Sequence, residues 1–413
     1  MAATLQDTPS ANRLHIGFFG KRNSGKSSLL NAFAGQSIAI VSQQPGTTTD
    51  PVKKAMEIQG LGACVLIDTA GFDDEGDLGE SRIEKTKQTA EGVDIALLFC
   101  NLEVDAESAD AIETMLSKER EWWLYFRRTG TKVIPVVNKA DILKNETVEK
   151  LTQAIKELFG EQPVIVSAMK ESGLDELKER LLRALPEDYA QRSITGKLVG
   201  EGDSVLLVMP QDIQAPKGRL ILPQVQTIRE LLDKGCIITC TTADKLTEAL
   251  AALVSPPKLI ITDSQIFSKV YESKPSESLL TSFSVLFAAQ KGDIDYYVRS
   301  AEKIAELNSR SKVLIAECCT HAPMEEDIGR VKIPRMLRQK YGADIQIDIV
   351  SGTDFPEDLS EYDLVIQCGG CMFNRKYVMA RIERAKQQET PMTNYGITIA
   401  YLTGILDKVS YVK

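Results

Sequence analysis

Gly20-Lys21-Arg22-Asn23-Ser24-Gly25-Lys26-Ser27 has the G-x-x-x-x-G-K-S spacing of a phosphate-binding loop, and it lies between an apolar run, Leu14 to Phe19, and a helical stretch, Ser28 to Ala34. Gly20 and Gly25 free the backbone of this turn, so that N–H groups from Asn23 to Ser28 can close on phosphate oxygens. Lys26 neutralises charge on the β and γ phosphates, and the Ser27 hydroxyl is a Mg²⁺ ligand. Asp68-Thr69-Ala70-Gly71 ends a later apolar run, where Asp68 can hold Mg²⁺ through water and the Gly71 backbone can sense the γ phosphate. Asn138-Lys139-Ala140-Asp141 follows Val133 to Val137. The Asp141 carboxylate can accept from N1 and the exocyclic amine of guanine, which adenine does not offer. Ser167-Ala168, after the next apolar run, supplies a backbone contact to the guanine oxygen. These ordered motifs predict GTP and GDP as ligands. Gly46-Thr47-Thr48 reads as the switch, with Thr48 as the Mg²⁺-binding threonine and Thr47 as its alternative.

A different chemistry is written in the last hundred residues. Cys319 follows Val313 to Ala316, and Cys368-Gly369-Gly370-Cys371 follows Leu364 to Ile366. Both runs read as doubly buried parallel strands, and ligands of open α/β sheets collect beyond strand carboxyl ends. Cys319, His321, Cys368 and Cys371 would all fall there, so two distant loops could converge on one ion or cluster. Gly369 and Gly370 let backbone N–H groups turn toward sulfur. The amphipathic stretch Phe373 to Gln387 could aim a helix N-terminus at negative charge. The same residues also suit a zinc ion held by three thiolates and an imidazole, a redox dithiol at Cys368 and Cys371, or plain reduced cysteines. Cys318 is expected to point elsewhere, since neighbouring residues face apart. His15, the other of two histidines, reads as a core or edge residue of the first strand.

The elements that must position these groups are α/β throughout. From Leu14 to about Leu185, short apolar runs alternate with stretches of helical period, the pattern of βα units around a mostly parallel sheet. Strands are predicted at Leu14 to Phe19, Val52 to Ile58, Ala63 to Ile67, Ile95 to Cys100, Lys132 to Val137 and Pro163 to Val166. Proline, glycine and charge replace the pattern between Pro186 and Gly202, which marks a boundary. A small α/β unit follows, with strands at Val205 to Met209, Cys236 to Thr241 and Lys258 to Thr262. Cys236 and Cys240 within it read as a structural core pair, and Cys64 and Cys100 as plain core residues. A third α/β segment starts near Leu279.

With 413 residues the chain has length for two or three cores. Its formal net charge of -9 argues against a broad nucleic-acid or anionic-membrane surface. Met1 to Asn12 lacks the layout of a secretory signal, no apolar stretch approaches membrane-spanning length, and a cytoplasmic location is expected. Eight cysteines in such a setting read as ligands or small hydrophobes more readily than as disulfides.

The first segment resembles the GTPases of the TrmE, Era and EngA group. That resemblance implies K⁺-stimulated hydrolysis, with Asn23 joining Lys26 and Thr48 among the residues that serve catalysis. Phe72 stands where Ras-like enzymes place a water-orienting glutamine, so slow intrinsic turnover is expected. A GTPase segment, a middle domain and a late Cys319-Thr320-His321 with Cys368-Gly-Gly-Cys371 resemble the HydF family of FeFe-hydrogenase maturation GTPases over essentially the whole chain. Thr393-Asn394-Tyr395-Gly396 is similar to that family as well.

The resemblance implies three domains: a Ras-like P-loop GTPase domain (1–185), a small α/β dimerisation domain (200–268) and an α/β iron–sulfur domain with a parallel sheet (275–413). It further implies a 4Fe-4S cluster on Cys319, Cys368 and Cys371, a homodimer, and a scaffold role. In that role a transient diiron subcluster bearing CO and cyanide, built by radical-SAM maturation enzymes, passes to apo-FeFe-hydrogenase. Many members carry histidine before the Cys-x-x-Cys; Gln367 stands here, which leaves His321, a carboxylate, water or the incoming diiron unit as the fourth iron ligand. Two other readings remain: an RNA or ribosome assembly GTPase, and a GTP-regulated zinc or dithiol protein.

Overall fold

The computed structural model describes residues 8–36, 40–44, 51–72, 77–101, 109–186, 192–209, 220–318 and 327–412. The chain divides into two compact units, Met1–Tyr189 and Ala190–Lys413.

The first unit is built on seven strands: β1 (Leu14–Phe19), β2 (Ile40–Gln44), β3 (Val52–Ile58), β4 (Gly62–Asp68), β5 (Ile95–Phe99), β6 (Lys132–Val137) and β7 (Val164–Ile165). Their order is β2-β3-β4-β1-β5-β6-β7. All pairs from β4 to β7 are parallel, and β2 and β3 add an antiparallel edge. Every residue of β5 is buried, as a strand covered on both faces requires. Cys64 and Cys100 lie in the core, as the apolar runs around them imply. On one face Phe19, Phe72, Trp122 and Phe126 form an aromatic cluster, with Phe72 stacked on Trp122 at 5.7 Å. His15 is pinned in β1 between the carbonyl oxygens of Gly92 (3.1 Å from Nδ1) and Ser10 (3.0 Å from Nε2). Burial lowers its pKa to about 4 despite those two carbonyls.

The second unit holds two four-stranded sheets. One has the order β11-β10-β8-β9 and comprises β8 (Ser204–Val208), β9 (Ile237–Thr241), β10 (Leu259–Thr262) and β11 (Leu279–Ser282). The other has the order β13-β12-β14-β15 and comprises β12 (Lys312–Ala316), β13 (Gln346–Val350), β14 (Leu364–Gln367) and β15 (Met392–Asn394). All pairs in both sheets are parallel. Leu279 to Ser282, beyond the expected boundary at 268–275, pairs with β10 in the first of these sheets. Residues of both sheets, among them Leu206, Ile260, Ile315 and Ile366, share one continuous apolar core.

Cys236 is buried but Cys240 is exposed, so the two are not a core pair. The reason is that β9 is an edge strand, half-covered along its length. Among the described residues no helix is long and apolar enough to cross a membrane.

Candidate functional site

The phosphate-binding loop connects β1 to the helix Lys26–Gln36. Lys26 is buried and its Nζ donates to the carbonyls of Gly20 and Lys21, both at 2.8 Å. The cation is thereby parked in the mouth of the loop, where a phosphate would meet it. Ser27 Oγ donates to Asp68 Oδ2. These two oxygens, which sequence assigns to Mg²⁺ directly and through water, thus already touch across the ends of β1 and β4. Burial raises the Asp68 pKa, against the pull of Ser27 and Lys26. A cation between the two oxygens would relieve that cost.

The motifs that the sequence assigns to the base converge on Asn138, whose side chain is essentially inaccessible to solvent. Its Nδ2 donates to the carbonyls of Ser24 (3.1 Å) and Gly25 (3.3 Å), and its Oδ1 accepts from the Ala168 N–H at 3.1 Å. One amide therefore ties the phosphate loop to the loop that carries Ser167 and Ala168. Gly25 is required at this contact: its φ is +86°, and a Cβ there would lie 2.3 Å from Asn138 Nδ2. Asp141 Oδ1 accepts from Ser167 Oγ at 2.5 Å, which orients the carboxylate at the end of β6.

Asn101 was not singled out from the sequence. Its Nδ2 donates to the Asn138 carbonyl at 2.7 Å and its Oδ1 accepts from the Asn138 N–H at 3.4 Å. A polar residue two positions past the fully buried β5 was the available signal. Asn23 has a φ of +56° and Lys139 one of +63°, uncommon for residues with a Cβ and typical of loops shaped around a ligand. Phe72 belongs to the aromatic core and offers nothing to an attacking water. Gly46, Thr47 and Thr48 lie outside the described residues.

In the second unit the predicted strand pair forms. β12 and β14 are adjacent and parallel, with Ala316 opposite Gln367, so the chain leaving each strand emerges at the same sheet end. Cys368 and Cys371 lie there, while Cys319 and His321 lie outside the described residues. Cys318, expected to face away, instead joins the site. It is buried, and its N–H donates to Cys368 Sγ at 3.1 Å. Strand alternation does not govern its direction, because β12 ends two residues earlier at Ala316.

The Cys318 thiol also hydrogen-bonds to Cys368, which holds Cys368 below the usual thiol range; the same bond and burial push Cys318 well up. Cys368 is thus the sulfur predisposed to be a thiolate, and the Gly370 N–H turns toward it as well. Gly370 has the left-handed φ of +64° that this turn needs.

Lys291, buried at the end of the helix Phe283–Lys291, donates to the carbonyls of Gly370 (3.0 Å), Cys371 (3.4 Å) and Phe373 (2.9 Å). Burial lowers its pKa to about 8, against the pull of the Cys371, Cys318 and Cys368 sulfurs. The helix after the loop starts at Arg375, and the Asn374 side chain already accepts from the Tyr377 N–H at 3.1 Å. That donor of the first turn is therefore taken by a cap. Gln367 is directed to the Tyr297 hydroxyl, 3.3 Å from its Nε2. Asn394 accepts from Gly396 N–H (2.9 Å) and Ser284 Oγ (3.0 Å) and donates to the Gln367 carbonyl (3.3 Å), so the Thr393–Gly396 motif locks β15 beside the thiol-bearing strand.

The donor set is soft, and among the described residues no three His, Cys, Asp or Glu side chains close on one point. The thiols of Cys318, Cys368 and Cys371, with the buried cations Lys291 and Arg381 beside them, fit an anionic thiolate-bound group better than a hard cation.

Comparison with known proteins divides the chain along its length. Residues 15–139 match the 50S ribosome-binding GTPase family, residues 194–292 the hydrogen maturase F dimerization domain, and residues 295–411 the hydrogen maturase F tetramerization domain. The chain is 32% identical over 164 residues to the tRNA modification GTPase MnmE of Bacillus licheniformis, covering 39% of this chain and 32% of that protein. It is 34% identical over 211 residues to the GTPase Der of Wolinella succinogenes, covering 48% and 42% respectively. The chain thus spans less than half the length of these curated relatives. A crystal structure of Aquifex aeolicus Era with GDP and AlF4⁻ aligns at 21% identity over 64% of this chain and 99% of that one, with a TM-score of 0.33, too loose an overlap to bear on function.

Proposed function

Because the chain belongs to the hydrogen maturase F family, whose dimerization and tetramerization domains follow its GTPase domain, we propose that it is a GTP-hydrolysing iron–sulfur scaffold that assembles a diiron subcluster precursor and delivers it to apo-FeFe-hydrogenase. The reading includes a cytoplasmic location, homo-oligomers built through the second unit, and radical-SAM maturation enzymes as the source of the diiron cargo. GTPase chemistry belongs to residues 1–185. The two sheets of the second unit share oligomerisation and cluster binding.

In the nucleotide site Lys26 moves from the Gly20 and Lys21 carbonyls onto the β and γ phosphates. Ser27 and Thr48 ligate Mg²⁺, with Asp68 behind them, and Asn23 holds K⁺. The Asp141 carboxylate, set by Ser167, accepts from guanine. Hydrolysis is an in-line attack by water, and fixed positive charge stabilises the charge that develops on the phosphates. It is slow without K⁺ or a partner, because Phe72 contributes no group that orients the water.

Cys319, Cys368 and Cys371 would hold a 4Fe-4S cluster, with His321 a candidate fourth ligand, and such a cluster would supply an anionic, thiolate-bound platform for the diiron cargo. The protein's part is to converge the two loops, hold the Cys368 thiol below its usual range through the Cys318 hydrogen bond, and cover the site with the Lys291 and Tyr297 helices. A single observation carries this reading: Cys318, next to Cys319, touches Cys368 from the neighbouring parallel strand, so residues fifty positions apart share one site.

Anaerobic metal and sulfide analysis tests it, with EPR of the reduced protein. About four irons and sulfides per chain is the expected result; zinc, or no metal, would sink the scaffold. Cys368→Ser should lose the iron and keep GTP turnover.

A further inference from the structure

Among the described residues Arg381 is the largest fully buried side chain, and its partners there are a carbonyl, a sulfur and three rings, with no carboxylate. Its guanidinium lies over the rings of Phe355 (4.7 Å), Phe373 (5.1 Å) and Tyr377 (5.1 Å). One terminal nitrogen donates to the Gly352 carbonyl, the other is 4.0 Å from Cys318 Sγ, and Nε has no hydrogen-bond partner. Lys291 is the second such case. It is buried, its ammonium meets three carbonyls of the Gly370–Phe373 turn and the Phe287 ring at 5.9 Å, and again no carboxylate pairs with it.

Arginine and lysine are rarely buried without an anion, because carbonyls and aromatic faces recover only part of the hydration they lose. Here two of them flank one cluster of thiols drawn from two loops. Carbonyl dipoles and rings orient the two cations, but they cancel no charge. The missing countercharge is negative, and it belongs where the sulfurs are.

We propose that Arg381 and Lys291 are the fixed counter-cations of an anionic, thiolate-ligated iron–sulfur group, Arg381 acting from the Cys318 side and Lys291 from the Gly370–Phe373 side. This rests on the iron–sulfur reading given above. Each thiolate adds a negative charge, and reduction adds one more, so a buried cation beside the sulfurs stabilises the reduced state most. Reduction potentials of such groups follow net charge and surroundings. Both are positioning residues, since neither bonds to the metal.

The test uses the full chain, reconstituted anaerobically with iron and sulfide, as wild type, Arg381→Met, Arg381→Lys and Lys291→Met. Iron per chain, the midpoint potential from an EPR-monitored redox titration, and the melting temperature of each apo-protein are measured. Arg381→Met and Lys291→Met are each expected to move the midpoint to more negative values, or to lose most of the iron while the apo-protein still melts cooperatively. Arg381→Lys should restore the potential toward wild type. An unchanged midpoint and iron content in both neutral variants would overturn the proposal, and a lowered melting temperature alone would then mark Arg381 as a packing residue. If Arg381→Met does not fold, Lys291→Met decides by the same criterion. A wild-type chain that binds no iron would bring down the iron–sulfur reading itself, and this proposal with it.

Discussion

Asn138→Ala is the sharpest test of how the nucleotide site is assembled. The side chain makes three hydrogen bonds, to the Ser24 and Gly25 carbonyls and from the Ala168 N–H, in an environment that is 1% exposed. The two bonds between its backbone and Asn101 survive the substitution, so the loss is confined to the link between the phosphate loop and the loop that holds the base. At about 1 kcal/mol per bond the truncation costs ~3 kcal/mol. For a unit of this size that corresponds to a drop of about 6–12 °C in its melting transition. The transition to follow is the one that GDP shifts upward, which identifies it as that of the first unit. Affinity for a fluorescent GDP analogue should fall at least about tenfold, equivalent to ~1.4 kcal/mol, because both loops must now be ordered by the ligand. A melting shift under about 2 °C together with unchanged GDP affinity would refute the reasoning, since two to three buried bonds cannot vanish without a trace.

Other outcomes follow from the same geometry. Gly173→Ala places a Cβ 2.1 Å from the Ile165 carbonyl at a φ of +77°, and should destabilise the first unit by at least about 2 kcal/mol in urea titrations. Asp141→Asn replaces an acceptor of the guanine N1 and amine protons, and should lower GTP affinity by about 10²-fold while admitting xanthine nucleotides, measured by competition. His15 binds its proton more weakly when folded, at about 4, than at the ordinary 6.5. Its neutral form stabilises the fold fully above pH 6.5, and that contribution is lost as pH falls from 6.5 toward 4. The shift is worth ~3 kcal/mol at most, and nearer 2 once partial exposure of the ring is allowed for. His15→Gln should flatten the stability profile over this window, and an unchanged profile would show that other groups carry the acid sensitivity.

The nucleotide motifs could be placed from the sequence because each is a short contiguous segment following a strand, and strand ends of a parallel sheet share one side. Asn101 escaped because its role runs through the backbone of Asn138, 37 residues away. In the second unit the strands at Val313 to Ala316 and Leu364 to Ile366 were readable from their unbroken apolar runs, and their parallel pairing sets the two strand ends side by side, where Cys318 meets Cys368. Cys318 was misread because alternation was extended past the end of its strand. Which sheet Leu279 to Ser282 joins has no local signal, and only pairing with Leu259 to Thr262 assigns it.

Residue order alone placed the Gly20–Ser27 loop, Asp68 and Asp141 after strands of the first unit, and cysteines at the ends of two apolar runs in the second. Those properties depend on local spacing and on the periodicity of burial. The setting of the thiols was decided only in three dimensions: Lys291 arrives from a helix some eighty residues before the Gly370 turn that it caps, and Arg381 from a helix sixty-three residues after Cys318. No periodicity reports such meetings, because a charged residue on a helix reads as solvated until the packed fold shows that water has been excluded around it.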